Sequence, residues 1–262
     1  MKSTINSWDY RAKILKDEYK SVMPQSFPDI VNIHIHNLHI REVESFLPLS
    51  NAYVLDVGCG WGRVSESLAK KNRSAKFFGI DISSGFVDLF NQHLKQRGKA
   101  IVGDMRNLPF KNQTFDLVYN VEAFEYLSHE RDQEKSISEM LRVLKNDGAM
   151  ILIAPDNYGL QAIRLWGLIP FIYRKLFLKP KIETYGISFN SSKLKRIIEK
   201  SGGDIVLCKG YPFLTVVLLP AIVAGKILPN LAKAILASGS FLDALFPLSG
   251  ISYFKLWIVK KK

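Results

Sequence analysis

The sequence predicts an α/β fold in which a parallel sheet is covered by helices on both faces. Two observations predict it. Short apolar runs alternate with amphipathic helical segments, and a glycine-rich turn joins the first run to the helix that follows it. The chain has 262 residues, of which 47% are hydrophobic, enough for one large domain with a buried core. Only two cysteines occur, so a disulfide framework is not expected and a reducing compartment is favoured.

The first 50 residues predict a helical segment ahead of the sheet. Apolar residues recur at helical spacing in residues 5–20 and again in residues 33–47, after which Pro48 ends the pattern. The start of the chain lacks the apolar stretch of a secretory signal peptide. We therefore expect a cytoplasmic protein that begins with helices.

Residues 51–156 predict the core of the sheet. Short apolar runs that suit buried strands occur along this region, and most of them are separated by segments with helical spacing. We expect strands at 52–58, 75–83, 99–105, within 114–127 and at 149–156, and helices at 62–72, 84–98 and 133–148.

The alternation stops at residues 157–190, which are aromatic, basic and apolar. It resumes with a helix at 191–203 and a strand at 204–210, and the chain ends with a strand at 251–259. Residues 212–250, between these last strands, are strongly apolar and are broken by three prolines. Residues 191–262 therefore predict the rest of the core with an apolar, basic helical insertion at 212–250.

The positive charge of the chain lies entirely in its last third. Residues 1–160 contain 20 basic and 20 acidic side chains, whereas residues 161–262 contain 16 basic and 4 acidic ones, which accounts for the net charge of +12. This asymmetry favours an anionic partner or an anionic membrane surface, with a solvated basic face as the alternative. The basic residues are interleaved with aliphatic runs, so RNA is the less favoured partner and DNA is not expected.

Two apolar and basic stretches, 160–181 and 212–236, suit interfacial amphipathic segments that contact a membrane peripherally. The uncharged stretch at 211–225 contains two prolines and falls short of the roughly 20 residues that span a bilayer, so we expect no transmembrane helix. A lid packed on the core, or a dimer interface, is the alternative for both stretches.

The turn "DVGCGWG" predicts a ligand site. Asp56 and Cys59 lie among three glycines, Gly58, Gly60 and Gly62, between the first strand and its helix. Glycine permits positive φ and a close approach of ligand to backbone, and the helix offers free N–H groups. In an open α/β sheet, ligands bind at the carboxyl ends of the strands.

Polar residues also end the next three predicted strands. Asp81 ends the second, Asp104 follows the third, and Asn120 lies near the end of the fourth. Each alone is an ordinary turn residue, but together they predict one site at one edge of the sheet. A carboxylate at Asp81 suits two ribose hydroxyls.

In these motifs the sequence resembles the class I S-adenosylmethionine-dependent methyltransferases, particularly the branch of ubiquinone- and menaquinone-biosynthesis and related small-molecule enzymes. The resemblance rests on "VLDVGCGWGR", "GIDIS", "VGDMRNLPF", "FDLVYNVEAFEYL" and "EMLRVLKNDGAMILIAPD". It implies a Rossmann-like, seven-stranded, mostly parallel sheet whose last strand is antiparallel. It also implies a substrate-covering cap or lid at 157–190, before the last strands.

The resemblance further implies S-adenosyl-L-methionine as cofactor and a small-molecule acceptor, with lipids among the candidate acceptors. Gly58 and Gly60 would lie under the methionine part of the cofactor, with Asp56 shaping the turn. Asp81 would bind the ribose hydroxyls. On the adenine side the resemblance places Ile82, Met105 and Asp104, and the backbone of Asn120 would meet the amino-acid end.

The resemblance assigns no general base. Many relatives carry histidine at two positions where this chain has Tyr126 and Tyr185. Other groups expected near the mouth are Glu125, Asp156 and Tyr158, and none has a spacing that singles it out. The sequence therefore leaves the catalytic residue, the attacking atom and the oligomeric state open.

Other chemistries are less favoured. A nicotinamide-dependent oxidoreductase would need G-x-G-x-x-G, whereas the chain has G-x-G-x-G. His34, His36 and His39 invite a metal interpretation, but only His36 and His39 share a helix face, with no cysteine or carboxylate at a matching step. A packed or solvated helix is therefore expected. A protein that binds the cofactor without catalysis stays an alternative.

Overall fold

A computed structural model describes residues 2–47, 51–157, 189–248, 250 and 252–262. The predicted cap at 157–190 lies outside these residues except for positions 157, 189 and 190. The stretch at 160–181 and the side chains of Tyr158 and Tyr185 also lie outside them.

Seven strands form a single sheet in the order β3-β2-β1-β4-β5-β7-β6. Strands β1 to β5 run parallel to one another, while β7 is antiparallel to both β5 and β6. The predicted mostly parallel α/β sheet with an antiparallel last strand is therefore confirmed. The strands are β1 (Tyr53–Val57), β2 (Lys76–Asp81), β3 (Gly98–Val102), β4 (Phe115–Val121), β5 (Leu144–Pro155), β6 (Gly203–Lys209) and β7 (Phe254–Lys261).

Helices precede the sheet, cross between its strands and fill the segment before β7. They are α1 (Lys2–Leu15), α2 (Asp29–Glu44), α3 (Arg63–Lys71), α4 (Ser84–Leu94), α5 (Glu130–Val143), α6 (Ser191–Lys200), α7 (Pro212–Ala224) and α8 (Pro229–Leu245). Neighbouring residues of β1 show that both faces of the sheet are covered. Val54 packs in one core cluster with residues of α2, α3 and α7, whereas Leu55 packs in a second cluster with residues of α5 and α6.

The helix predicted at 133–148 ends earlier than expected. It stops at Val143, because Leu144 already pairs with Phe115 of β4 and is fully buried. Gly148, which the sequence suggests as a helix stop, lies instead inside β5. A Cβ there would lie 2.8 Å from the backbone oxygen of Asp116, so its small size serves strand packing.

The region 212–250 contains the two helices α7 and α8, which pack against each other. Asp243 of α8 accepts hydrogen bonds from the N–H groups of Phe213 (2.9 Å) and Leu214 (2.8 Å) at the start of α7. Gly239 lets the helices approach, since a Cβ there would lie 2.5 Å from Val217 Cγ2. Within the described residues, every helix is too short or too polar to cross a bilayer.

Candidate functional site

A cavity of about 420 Å³ opens at the carboxyl ends of β1, β2, β3 and β4. Eight of the ten predicted cofactor residues line it: Asp56, Gly58, Cys59, Gly60, Asp81, Ile82, Asp104 and Met105. Parallel strands bring these residues to one edge of the sheet, as the sequence predicts. Gly62 and Asn120 lie outside the lining, and both contact other parts of the protein instead.

The three glycines of the turn all have positive φ: +76° at Gly58, +51° at Gly60 and +86° at Gly62. Their neighbours differ, however. A Cβ on Gly58 would lie 2.3 Å from the Cβ of Ala123, so β1 and β4 meet there without room for a side chain. A Cβ on Gly62 would lie 2.8 Å from the ring of Phe90 in α4, so this glycine serves helix packing rather than the cavity.

Asp81 connects the second strand to the glycine-rich turn. Its Oδ2 accepts a hydrogen bond from the Gly60 N–H (2.8 Å), and its Oδ1 accepts one from the Ser83 N–H (3.0 Å). Burial raises the pKa of Asp81, and these N–H donors partly offset that effect. Each oxygen keeps a second lone pair, so the carboxylate can still receive two hydroxyl groups from a ligand in the cavity.

Asp56 and Asn120 hold the turn in place. Asp56 is buried and accepts hydrogen bonds from Ser65 Oγ (2.8 Å) and Tyr119 Oη (2.9 Å). Burial raises the pKa of Asp56 to about 7 despite these donors. Asn120 donates from Nδ2 to the Val57 carbonyl oxygen (2.7 Å), which joins the ends of β1 and β4.

Asp104, expected to receive the adenine amino group, is paired within the protein. Both of its carboxylate oxygens accept from Arg106 Nε at 3.0 Å, and Arg106 Nη1 also donates to Asp132 at 2.9 Å. Burial alone would raise the pKa of Asp104, but the hydrogen bonds from Arg106 outweigh it and lower the pKa. Arg106 and Asp132 also line the cavity, although no pattern in the sequence indicated them.

A second arginine at the cavity, Arg63, was also missed. It is the first residue of α3 and only 6% exposed. Its Nη1 donates to His36 Nδ1 and its Nη2 to His39 Nδ1, both at 3.2 Å. Burial first and Arg63 second lower the pKa of both histidines, to about 3 for His36, so both rings are neutral acceptors. The sequence predicted that the two histidines share a helix face, but it did not indicate Arg63 as their hydrogen-bond partner.

The N-terminal segment and the residues after β4 form the outer wall of the cavity. Trp8 of α1 and Tyr126 line it together, with their rings edge to face at 5.0 Å between centroids. The neighbouring Glu125 is buried, and burial raises its pKa well above the usual range. Asp156 lies at the end of β5, where it accepts from Ser191 Oγ at 2.7 Å. Of these groups, only Trp8 and Tyr126 line the cavity.

Known proteins are similar to this part of the chain. Residues 54–148 match the family described as "Methyltransferase domain". The demethylmenaquinone methyltransferase of Thermotoga maritima is 34% identical over 113 residues, which are 43% of this chain and 48% of that protein. The phthiotriol/phenolphthiotriol dimycocerosates methyltransferase of Mycobacterium tuberculosis is 30% identical over 122 residues, 46% of this chain and 43% of that protein. The chain thus spans about half the length of these two relatives.

A solved structure extends the likeness beyond the matched domain. The geranyl diphosphate C-methyltransferase of Streptomyces coelicolor, in complex with Mg²⁺, geranyl diphosphate and S-adenosyl-L-homocysteine, superposes with a TM-score of 0.60 at 14% identity. The superposition covers 89% of this chain and 84% of that one. At this identity the likeness shows the fold, which extends over the strands that follow the matched domain.

Proposed function

We propose that the chain transfers a methyl group from S-adenosylmethionine to a small, lipophilic acceptor. The similarity of residues 54–148 to a methyltransferase domain supports this proposal. The observation that carries the proposal is the Asp81 carboxylate in the cavity, hydrogen-bonded to the Gly60 N–H and open toward the ligand side. A ribose hydroxyl pair matches the lone pairs that remain. The cavity of about 420 Å³ is in the range of small-molecule sites.

The lining residues suggest one orientation of the cofactor. Gly58, Cys59 and Gly60 would lie beneath its methionine part, and Asp81 would hold the ribose. Ile82 and Met105 would flank the adenine. Asp104 would accept from the adenine amino group, in competition with the hydrogen bonds that both of its carboxylate oxygens accept from Arg106. Gly62 and Asn120 would act indirectly, by fixing the turn.

The chemistry needs little from the protein beyond binding and alignment. The bound cofactor supplies an activated methyl group on a sulfonium. The chain holds the two reactants in line and excludes water, and such alignment can contribute on the order of 7–11 kcal/mol. Trp8 and Tyr126 form the wall that would exclude water on the outer side. We assign no general base.

A lipophilic acceptor at a membrane surface is supported by the apolar exposure of α7 and α8. Large side chains that are at least 40% exposed cluster on these helices and the residues next to them: Val216, Val223, Ile227, Leu228, Leu231, Phe241, Leu245, Phe246 and Leu248. The net charge of this third of the chain is positive. Apolar side chains with basic neighbours are typical of interfacial helices on anionic lipid. We propose a cytoplasmic protein, peripheral to the membrane, and both free cysteines agree with a reducing compartment.

Calorimetry with S-adenosylmethionine and S-adenosylhomocysteine tests the cofactor site. Asp81→Asn should weaken binding about 10- to 100-fold, because it removes a charged acceptor for two hydroxyls. The matched control is Asp88→Asn, an exposed aspartate of α4 outside the cavity lining, which should leave the affinity unchanged. Absence of binding to the unaltered chain would contradict the proposal.

Incubation with methyl-labelled cofactor and a membrane lipid extract tests the acceptor. Label in the organic phase is expected. Label found only in polar metabolites or in RNA would contradict a lipophilic acceptor and favour one of those acceptors instead. Cofactor binding without any methyl transfer would favour a non-catalytic protein.

Vesicle sedimentation tests the membrane contact. Ile227→Ser, at a side chain that is 77% exposed, should reduce binding to anionic vesicles about fivefold, because an inserted apolar group is lost. Val206→Ser is the matched control, since Val206 is 57% exposed on β6 and lies outside α7 and α8. Equal effects of both substitutions would contradict a contact through the helices.

A further inference from the structure

Arg63 carries a buried positive charge at the wall of the cavity. Among the described residues it forms no ion pair with a carboxylate, and its two hydrogen-bond partners are the uncharged rings of His36 and His39. A buried charge without a counter-ion is costly, because the group has lost its water. An arginine placed in this way therefore suits an anion that enters with a ligand.

Glu122 places a carboxyl group on the same cavity wall. Its backbone lies in the left-handed region at φ +54°, and its N–H donates to the Ile153 carbonyl oxygen at 2.9 Å. Non-glycine residues in this region cluster at functional sites, since surrounding structure must hold them there. Burial raises the pKa of Glu122, and the positive charge of Arg63 partly offsets that effect although the two side chains form no ion pair. The wall thus presents a guanidinium group and a carboxyl group to a ligand.

We infer that Arg63 and Glu122 bind the zwitterionic amino-acid end of the cofactor, with Arg63 on its carboxylate and Glu122 on its ammonium, and that His36 and His39 are positioning residues for Arg63. The inference rests on the proposed function. Arg63 follows the glycine-rich turn directly, beside Gly58 and Gly60, where the methionine part would lie.

The two imidazoles fix the direction of the guanidinium without neutralising it. Each accepts one N–H at 3.2 Å, so two of the five donors of Arg63 are held on the α2 side. Carboxylates in their place would compete with the ligand for the positive charge. Neutral acceptors leave the charge for the ligand.

Calorimetry with three ligands tests this assignment: S-adenosylhomocysteine, its decarboxylated analogue, which keeps the ammonium, and 5′-methylthioadenosine, which has neither group. Arg63→Met should weaken the binding of S-adenosylhomocysteine about 10- to 100-fold. The affinity for the other two ligands should stay within about threefold of wild type. Glu122→Gln should weaken the first two ligands but not the third. Arg106→Met, the matched control at the same cavity, should affect all three ligands alike.

The histidines are tested by whether an amide restores their hydrogen bond. His39→Leu removes the acceptor and should reduce the preference for S-adenosylhomocysteine over its decarboxylated analogue. His39→Asn places an oxygen near the Nδ1 position and should restore that preference. Equal loss in both variants would assign His39 to packing only and would overturn its positioning role.

Measurements on the wild-type protein alone distinguish failure of the proposed function from failure of the amino-acid site, so this test does not depend on whether a variant folds. If it binds none of the three ligands, the proposed function fails. If it binds all three equally tightly, the cofactor site stands and the amino-acid site is overturned. A clear preference for S-adenosylhomocysteine that Arg63→Met abolishes supports the inference.

Discussion

Two arginines line the same cavity and use their charge in opposite ways. Arg106 is paired with the carboxylates of Asp104 and Asp132, and its side chain is 24% exposed. Arg63 is almost fully buried and bonds only to neutral histidine nitrogens among the described residues. The first charge is neutralised within the protein, while the second is not.

The difference distinguishes two ends of one cavity: at one end the charge of the arginine is balanced within the protein, and at the other it is not. The Arg106 group ties the segment after β3 to α5 and needs no ligand to be satisfied. The Arg63 group retains an unbalanced charge, so a bound anion would lower its free energy. Matched substitutions at the two ends test this distinction.

The largest contrast is expected from glycine-to-alanine substitutions at the two ends. Gly58→Ala should weaken S-adenosylhomocysteine binding at least about 100-fold, because positive φ and a Cβ 2.3 Å from Ala123 force the turn to move. Gly103→Ala should change the affinity less than about fivefold. Its φ is not positive, and the new Cβ would meet only the end of the Ile80 side chain, at 2.7 Å.

Calorimetry measures the affinity in both variants, and thermal unfolding shows whether each is folded. A Gly103→Ala variant that binds as weakly as Gly58→Ala would contradict a difference between the two ends. It would indicate that both backbone segments approach the ligand equally closely.

A second, smaller contrast concerns pH. Burial and then Arg63 lower the folded-state pKa of His36 from 6.5 to about 3, so only the unfolded chain takes up this proton between those values. The stability that His36 contributes is therefore complete above pH 6.5 and is lost as the pH falls towards 3. The slope is about 1.4 kcal/mol per pH unit for one proton.

Comparison with His36→Asn isolates this effect, because the asparagine oxygen can still accept from Arg63 but does not titrate. Chemical unfolding at pH 6 and pH 4 should show the wild type losing about 2–3 kcal/mol more than the variant over that interval. The other groups that face this ring, Arg63, His39, Tyr19 and Ser67, are present in both proteins. Equal pH dependence in the two proteins would contradict a neutral, buried His36.

How far the sequence predicts this site depends on whether the interaction is local. The strand ends and the glycine-rich turn were predictable, because Gly58 and Asp81 lie at fixed points of the strand-helix alternation. The Arg63 group was not, since α2 lies outside that alternation and its packing on α3 comes from tertiary structure. The same holds for Arg106, whose partner Asp132 is 26 residues away. The end of α5 was misjudged because pairing of Leu144 with β4 overrides local helical preference.

The smallest effect is expected at the Arg106 end. Asp132→Asn removes one of two carboxylates from an arginine that keeps its pairing with Asp104, and the Asp132 side chain is 29% exposed. Solvent screens such a pair, so the free energy of unfolding should fall by less than about 1 kcal/mol, and less still in high salt. S-adenosylhomocysteine affinity should stay within about threefold of wild type. A tenfold loss that spares the decarboxylated analogue would place the ligand carboxylate at this end and reverse the roles of the two arginines.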